Sequence, residues 1–470
     1  MKAGKILAFL ASVLFILSVL GYIIPEEGIN VGALHFRFTS LHAMANDERH
    51  RSEPIDTAAI EAERRFSDSI AYYRNIIDQG PLRLAMPEPH YLDTLWAAAE
   101  QAQEEGRTLR ILHYGDSQIE MDHMTGRLRA AMQQTFGGGG PGMIPFSTIT
   151  PSPSVRQSTT GELIHLSSFG DSTVKRSRGD YGPMMQCFRM ATGNVSMTLK
   201  ASTMKSVDER VKHISSIALI YNSHNPHLSA TASDRQHKGV SLERNAIEGG
   251  IGRLEWQLDS ACNNIRVDVN GSADLYALLA DDGYGVAVDN IPMRGCSGQQ
   301  FTLVPVEKLA AAYRQMDIGL IILQFGGNSV PYFKTASQIS TYCRSIGRQI
   351  DHVHASCPKA KILFIGPSDM STRINGTLQT YPLLPQLIDS LSATALAHDA
   401  AFWSIYNAMG GEGSMIEWVK QGLAGSDYIH FSQRGADKMG DLLWQALYAN
   451  YRIYTLCQQH QPLTAKPHKP

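Results

Sequence analysis

Residues 109–128, LRILHYGDSQIEMDHMTGRL, change character in the middle. The first six, 109–114, form a short apolar-rich run that reads as a buried strand, and the run ends at Gly115-Asp116-Ser117. After Ser117, Met121, Met124, Leu128 and then Met132 recur at helical spacing. That spacing predicts an amphipathic helix, closed by the glycine run at 137–140. Strand, tight turn and helix thus follow one another directly. In an α/β sheet, ligands bind beyond the carboxyl ends of the strands, where a helix N-terminus favours developing negative charge, and Ser117 is so placed. The tripeptide alone reads equally well as a turn with an N-cap. A second copy, Gly170-Asp171-Ser172, has no clear amphipathic helix after it and is set aside.

On either side of this stretch the pattern extends. Residues 57–77 and 91–105 carry helix-favouring Ala, Glu, Arg and Leu. From about 148 to 289 the helical periodicity fades. Ser, Thr, Asn and Gly there punctuate short apolar runs at 195–199, 214–221, 265–269 and 275–279, as in a β-sandwich or jelly-roll unit. Residues 318–325 and 361–365 then read as buried parallel strands, with helical stretches at 337–354 and 385–400 and a closing helix at 433–451. The expectation is an α/β domain with a parallel sheet, residues 57–147 and 290–455, interrupted by a β-rich insertion at 148–289 and followed by a tail at 456–470. Tyr181, Tyr221, Trp256, Tyr276 and Tyr284 in the insertion are candidates for a sugar platform, although aromatics of a β-sandwich are more often core.

Composition excludes several classes. The 470 residues carry 42 Lys plus Arg against 44 Asp plus Glu, a net charge of −2, and 43% are hydrophobic. An ordinary apolar fraction disfavours disorder, and the absence of a triplet period among 40 Gly and 21 Pro disfavours collagen. Near-neutral charge leaves no basic footprint for nucleic acid. Six Cys are widely spaced without a CxxC, and His352-Val353-His354 has no Cys, Asp or Glu at a spacing that singles it out, so neither metal nor cofactor is expected. Disulfides and oligomeric state stay open.

Residues 6–24, ILAFLASVLFILSVLGYII, are uncharged and follow Lys2 and Lys5. Their length is near the about 20 residues a bilayer core requires and exceeds the roughly 7 to 15 of a cleavable signal. With no A-x-A-like site following, residues 1–28 read as an uncleaved signal anchor and 29–56 as a polar linker, with a cleaved signal as the alternative. By the positive-inside rule the lysines stay cytoplasmic. The rest would face the periplasm from the inner membrane, or be secreted if the segment is cleaved.

A serine nucleophile requires a base, usually His oriented by a carboxylate. Asp427-Tyr428-Ile429-His430 offers both within one turn, in a Gly- and Ser-containing loop ahead of the closing helix. Asp47/His50, Asp234/His237 and Asp351/His354 share the spacing but are read more simply as a polar linker, an insertion loop and a helix face. Acyl transfer also requires donors for an oxyanion. The strand at 318–325 runs into Gly326-Gly327-Asn328, and Arg294-Gly295-Cys296-Ser297-Gly298 is a second small-residue loop able to present an N–H.

In this order the blocks resemble the SGNH (GDSL-like) hydrolase family: Gly115-Asp116-Ser117 as block I, Gly295-Cys296-Ser297-Gly298 as block II, Gly326-Gly327-Asn328 as block III and Asp427-Tyr428-Ile429-His430 as block V. The resemblance covers about residues 107–135 and 290–450. It implies a three-layer α/β sandwich with Ser117 as nucleophile, His430 as general base and Asp427 as its orienting partner. The implied oxyanion hole combines the N–H groups of Ser117 and Gly298 with the Asn328 amide. Ser329 stands where the family often has Asp. With its export signal and β-rich insertion, the chain is similar to bacterial members that remove O-acetyl groups from peptidoglycan or other polysaccharides. An O-acylated glycan is therefore the implied substrate. A glycan O-acyltransferase using the same triad and a non-catalytic glycan-binding envelope protein are the alternatives. The α/β-hydrolase fold wants a G-x-S-x-G elbow, which is missing, and Gly137-x-Gly139-x-x-Gly142 ends a helix instead of linking strand to helix, against a dinucleotide site.

Overall fold

The computed structural model describes residues 3–25, 29–32, 34–36, 57–170, 176, 179–224, 227–234, 241–245 and 249–460. Asp171 and Ser172 of the second Gly-Asp-Ser, most of the expected linker and the tail beyond 460 lie outside these. The chain divides into two units, one reaching to Asp68 and one spanning Ser69–Gln461. In the first, Ala3–Ile23 is a helix whose Gly4–Ile23 stretch is long and apolar enough to cross a membrane by length and composition. Where the linker was expected, Ile29–Val31 and Leu34–Phe36 pair as a small antiparallel hairpin.

The second unit is built on a six-stranded sheet. In chain order the strands are β1 (Leu84–Ala85), β2 (Thr108–Gly115), β3 (Gly285–Pro292), β4 (Asp317–Gln324), β5 (Lys361–Gly366) and β6 (Ala401–Ser404), and their order across the sheet is β3-β2-β4-β5-β6-β1. All neighbours are parallel except the short antiparallel edge strand β1. Near-continuous apolar runs fit strands covered on both faces. Their period of two divides the side chains between two cores. Leu112, Tyr114, Ile321, Leu323, Ile362 and Phe364 enter one, against the helices Ala336–Ser356 and Leu384–Ala397. Leu109, Ile111, Leu320, Ile322, Leu363 and Ile365 enter the other, against Asp93–Glu104, Thr125–Phe136 and Gln433–Gln459. Helix, sheet and helix make three layers, as expected. From β2 the chain adds β3 on one side and β4 on the other, so β2 marks the point where strand order reverses and where such sheets bind ligands.

The insertion is antiparallel β. Its hub is the strand Asn264–Asp281, which joins the two apolar runs at 265–269 and 275–279 across an irregularity between Gly271 and Ala273. The hub pairs with Gln186–Ala201, Ile214–Ser223, Ser229–Asp234 and Gly142–Ile144. Two features cross the expected limits of 148 and 289. Gly142–Ile144 already belongs to the insertion's sheet, and Gly285–Pro292 is strand β3 of the parallel sheet. The insertion is not hung on a tether. Met143, Met184, Cys187, Ile220, Tyr276 and Leu279 pack into the same core as Leu112 and Tyr114 of β2.

One local expectation fails. No amphipathic helix starts at Ser117. Ser117–Asp122 is a six-residue 3-10 turn, and Met121, Asp122 and Met124 take positive φ of 56, 63 and 54°, so the helix begins only at Thr125. Such conformations cost non-glycine residues about 1 to 3 kcal/mol each and persist only where the surroundings over-determine them. Here Arg129, fully buried, holds the Asp122 carboxylate with two hydrogen bonds of 2.5 and 2.8 Å. The aromatic platform also fails in the main. Tyr181, Tyr221, Trp256 and Tyr276 are buried core, and only Tyr284 is exposed. Burial of apolar area claims aromatic rings first.

Candidate active site

The end of β2 carries Ser117 out of the sheet. Asp116 caps the turn, its carboxylate accepting from Gln118 N at 3.0 Å. Gly115 stands just before it, where a Cβ would lie 2.9 Å from Ile119 Cδ1 and displace that side chain. The turn is fixed from one flank by Asn290 of β3, whose side-chain amide donates to Ile119 O at 3.0 Å.

Ser117 Oγ lies 2.9 Å from His430 Nε2, and His430 Nδ1 lies 2.7 Å from Asp427 Oδ2. The three residues that sequence reasoning singled out, Ser117 and, 313 positions further on, His430 with Asp427 three residues before it, therefore meet in one hydrogen-bonded line. The other Asp427 oxygen accepts from the backbone N–H groups of Ile429 (3.0 Å) and His430 (3.1 Å), so a single carboxylate shapes the loop and orients the imidazole. Burial raises the Asp427 pKa, but these hydrogen bonds outweigh it and hold the carboxyl below its usual range. Asp427 and His430 have side chains 49% and 46% exposed, so the line stands open to solvent on one side.

Asn328, in the turn after β4, reaches the same pocket, yet its amide is already engaged. It donates to Asp116 Oδ2 at 3.1 Å and to the carbonyl of Cys296 at 3.0 Å. An oxyanion would have to share or displace one of these. Gly298 closes the block II loop at φ +82°, a conformation that favours glycine, and a Cβ there would lie 2.7 Å from the Phe325 ring. Tyr342 fixes the same loop by donating its hydroxyl to Ser297 O at 2.6 Å. Ser117, Asn328, Pro331, Met370, Ile429 and His430 are among the residues lining a pocket of about 190 Å³.

Two residues without an assigned role in the sequence hold this arrangement together. The Gln118 amide donates to Ile429 O at 2.6 Å and accepts from Phe431 N at 3.3 Å, so it grips the backbone on both sides of His430. Asp116 is buried, and burial pushes its pKa up to about 6 despite the hydrogen bonds from Gln118 N and Asn328. A carboxyl whose folded pKa is raised contributes stability below its unfolded pKa of about 3.8 and loses it as the pH rises through about 6. Asp116→Asn carries no such cost. The variant is expected to gain on the parent by up to about 3 kcal/mol between pH 4 and 7, at about 1.36 kcal/mol per pKa unit. Urea unfolding of both proteins across that range checks it, and a difference independent of pH would contradict the burial argument.

Among the described residues, no group of three or more His, Cys, Asp or Glu could hold a metal ion, and all six cysteines are free. His352 and His354 instead bond to the Val304 and Asp399 carbonyls.

The three layers, the switch point at β2 and the serine at its carboxyl end are the arrangement that the resemblance to SGNH hydrolases implies. The same fold is found in a solved peptidoglycan O-acetylesterase, with a TM-score of 0.62 and 23% identity over 77% of this chain and 96% of that one. Two family two carbohydrate esterases also match. One from Cellvibrio japonicus has a TM-score of 0.24, 10% identity and 64% and 99% coverage, and one from Clostridium thermocellum in complex with cellohexaose has 0.25, 9%, 60% and 97%. Both are too distant in shape to carry weight. No family model and no curated protein matches the chain.

Proposed function

We propose that this protein is a serine esterase of the SGNH family that removes O-acyl groups, chiefly O-acetyl, from a cell-envelope or extracellular carbohydrate. The observation that carries the reading is the hydrogen-bonded line Ser117–His430–Asp427 at the carboxyl end of β2. In the reaction His430 Nε2 takes the Ser117 proton as Oγ attacks the ester carbonyl, and Asp427 steadies the imidazolium. The N–H groups of Ser117 and Gly298 receive the oxyanion, with Asn328 as third donor. His430 then gives that proton to the departing sugar oxygen, leaving an acyl-Ser117. A water that His430 deprotonates attacks the acyl carbon, and Ser117 Oγ leaves with the returned proton as the carboxylic acid is freed. The pocket at Ser117 is small, which suits a short acyl group. The fold shared with a peptidoglycan O-acetylesterase supports a glycan ester. The apolar N-terminal helix supports a place at the membrane, as signal anchor or signal, with residues 69–461 outside the cytoplasm.

The test is acetate release by the full chain in detergent, from O-acetylated peptidoglycan and from an aryl acetate. Acetate in solution is the expected product. Its appearance instead on an added glycan acceptor would identify an acyltransferase, and saturable glycan binding without turnover would identify a binding protein.

A further inference from the structure

The pocket at Ser117 is smaller than the about 300 to 1,000 Å³ in which organic ligands are usually held. A second concavity of about 820 Å³ lies beside the loop that follows Ser117, walled on its other side by the insertion. We propose that this cleft binds the glycan chain bearing the ester, with N-acyl groups of the chain seated on its apolar wall, while the O-acyl group enters the pocket at Ser117. The proposal rests on the esterase reading of Ser117.

The cleft adjoins the site. Glu120 and Met121 line it and follow Ser117 by three and four residues, which limits their separation along the chain to about 14 Å. Arg294 and Gly295 line it as well and precede Gly298 in the block II loop. The Arg294 guanidinium donates to both oxygens of Glu120 at 2.6 Å, so the nucleophile loop and the oxyanion loop are clasped at the edge of the cleft. The positive-φ turn belongs to the same wall. Met121 is 49% exposed there, and the buried Arg129–Asp122 pair behind it holds the strained backbone.

The lining chemistry selects the ligand. Met121 and Ile149, both exposed, and half-buried Phe169 supply apolar surface, backed by the buried Met143, Ile144 and Met184, and Ile149 is 42% exposed. Such surface favours the methyl of an N-acyl group over the bare hydroxyls of an unsubstituted glucan. Polar side chains stand among them. His165 is stacked on Phe188 with ring centroids 5.0 Å apart and bonded to Gln186 at 3.0 Å, so a sugar edge meets a group already fixed in place. Since one wall comes from the loops around Ser117 and the other from the insertion, the cleft gives a reason for the insertion to share the catalytic unit's core.

The experiment is calorimetric titration of the full-length Ser117→Ala protein with chitohexaose and with cellohexaose. Chitohexaose is expected to bind at least tenfold more tightly, and Ile149→Arg and Met121→Arg, at two exposed apolar positions of the lining, each to weaken it at least tenfold with unchanged Tm. In the otherwise parental protein the same two substitutions are expected to lower kcat/KM for O-acetylated peptidoglycan at least tenfold relative to that for the aryl acetate. Unchanged chitohexaose affinity in both folded variants would overturn the cleft assignment, and equal affinity for cellohexaose would overturn the N-acyl preference. Loss of binding in the cleft variants of a protein without any esterase activity would defeat the esterase reading and leave the binding site standing.

Discussion

Ser117→Ala is expected to lower kcat for aryl acetate hydrolysis by 10³-fold or more, up to about 10⁶-fold if chemistry limits turnover. The geometry explains the size. Ser117 Oγ is the atom held 2.9 Å from His430 Nε2, and alanine leaves the imidazole without a nucleophile to deprotonate. Stability should hardly change, because Ser117 is only half-buried and its side chain bonds to His430 alone among the described residues. His430→Ala is expected to cost the same within tenfold. The double variant should then be no worse than either single one, since each removes the same unit. Asp427→Asn is expected to cost less than either, because Asp427 is half exposed and water takes over part of the stabilisation of the imidazolium. Single-turnover kinetics with an aryl acetate measure all four. Additive losses in the double variant, or activity in Ser117→Ala above about 1% of the parent, would remove Ser117 from the role of nucleophile.

Much of this site was legible because its chemistry is carried by small residues at the ends of apolar runs. The runs at 109–114, 318–325 and 361–365 match β2, β4 and β5 to within one residue at each end, because strands covered on both faces need unbroken hydrophobicity. What escaped notice has physical reasons. Met121, Met124 and Leu128 match a helical period, yet a pattern cannot reveal that Arg129 draws Asp122 back and forces the turn to positive φ. Gly271 reads as a break between two strands, whereas it lies at an irregularity within one strand of 18 residues. Four-residue β6 is too short to show a period. Gln118 carries no signal of its own, since its side-chain partners, Ser368 Oγ and the backbone at Ile429 and Phe431, are 250 or more residues away.

Arg110→Met is expected to destabilise the unit formed by residues 69–461 by about 3 to 5 kcal/mol, the range for breaking a buried ion pair from one side. Arg110 sits on β2 with almost no exposure. Its guanidinium donates to Asp289 of β3 at 2.8 and 2.9 Å, and to Asp281 at the end of the insertion's hub strand at 2.5 Å. Burial opposes the charge on the guanidinium, and the two carboxylates more than compensate, raising its pKa. Methionine fills a similar volume but leaves both carboxylates in the interior. Their remaining donors are Met143 N on Asp289, at 2.7 Å, and Gly283 N and Thr108 Oγ1 on Asp281, at 2.8 and 3.3 Å. These cannot neutralise two charges. Neutralising the carboxylates as well, in Arg110→Met/Asp281→Asn/Asp289→Asn, should recover more than half of the loss, because the penalty lies in the unpaired charge and not in the missing side chain. Urea unfolding of the three proteins at pH 7 makes the comparison. A loss below about 1 kcal/mol in the single variant would mean that the Arg110 cluster is not what fastens the insertion to the sheet, and the shared apolar core would then have to do so alone.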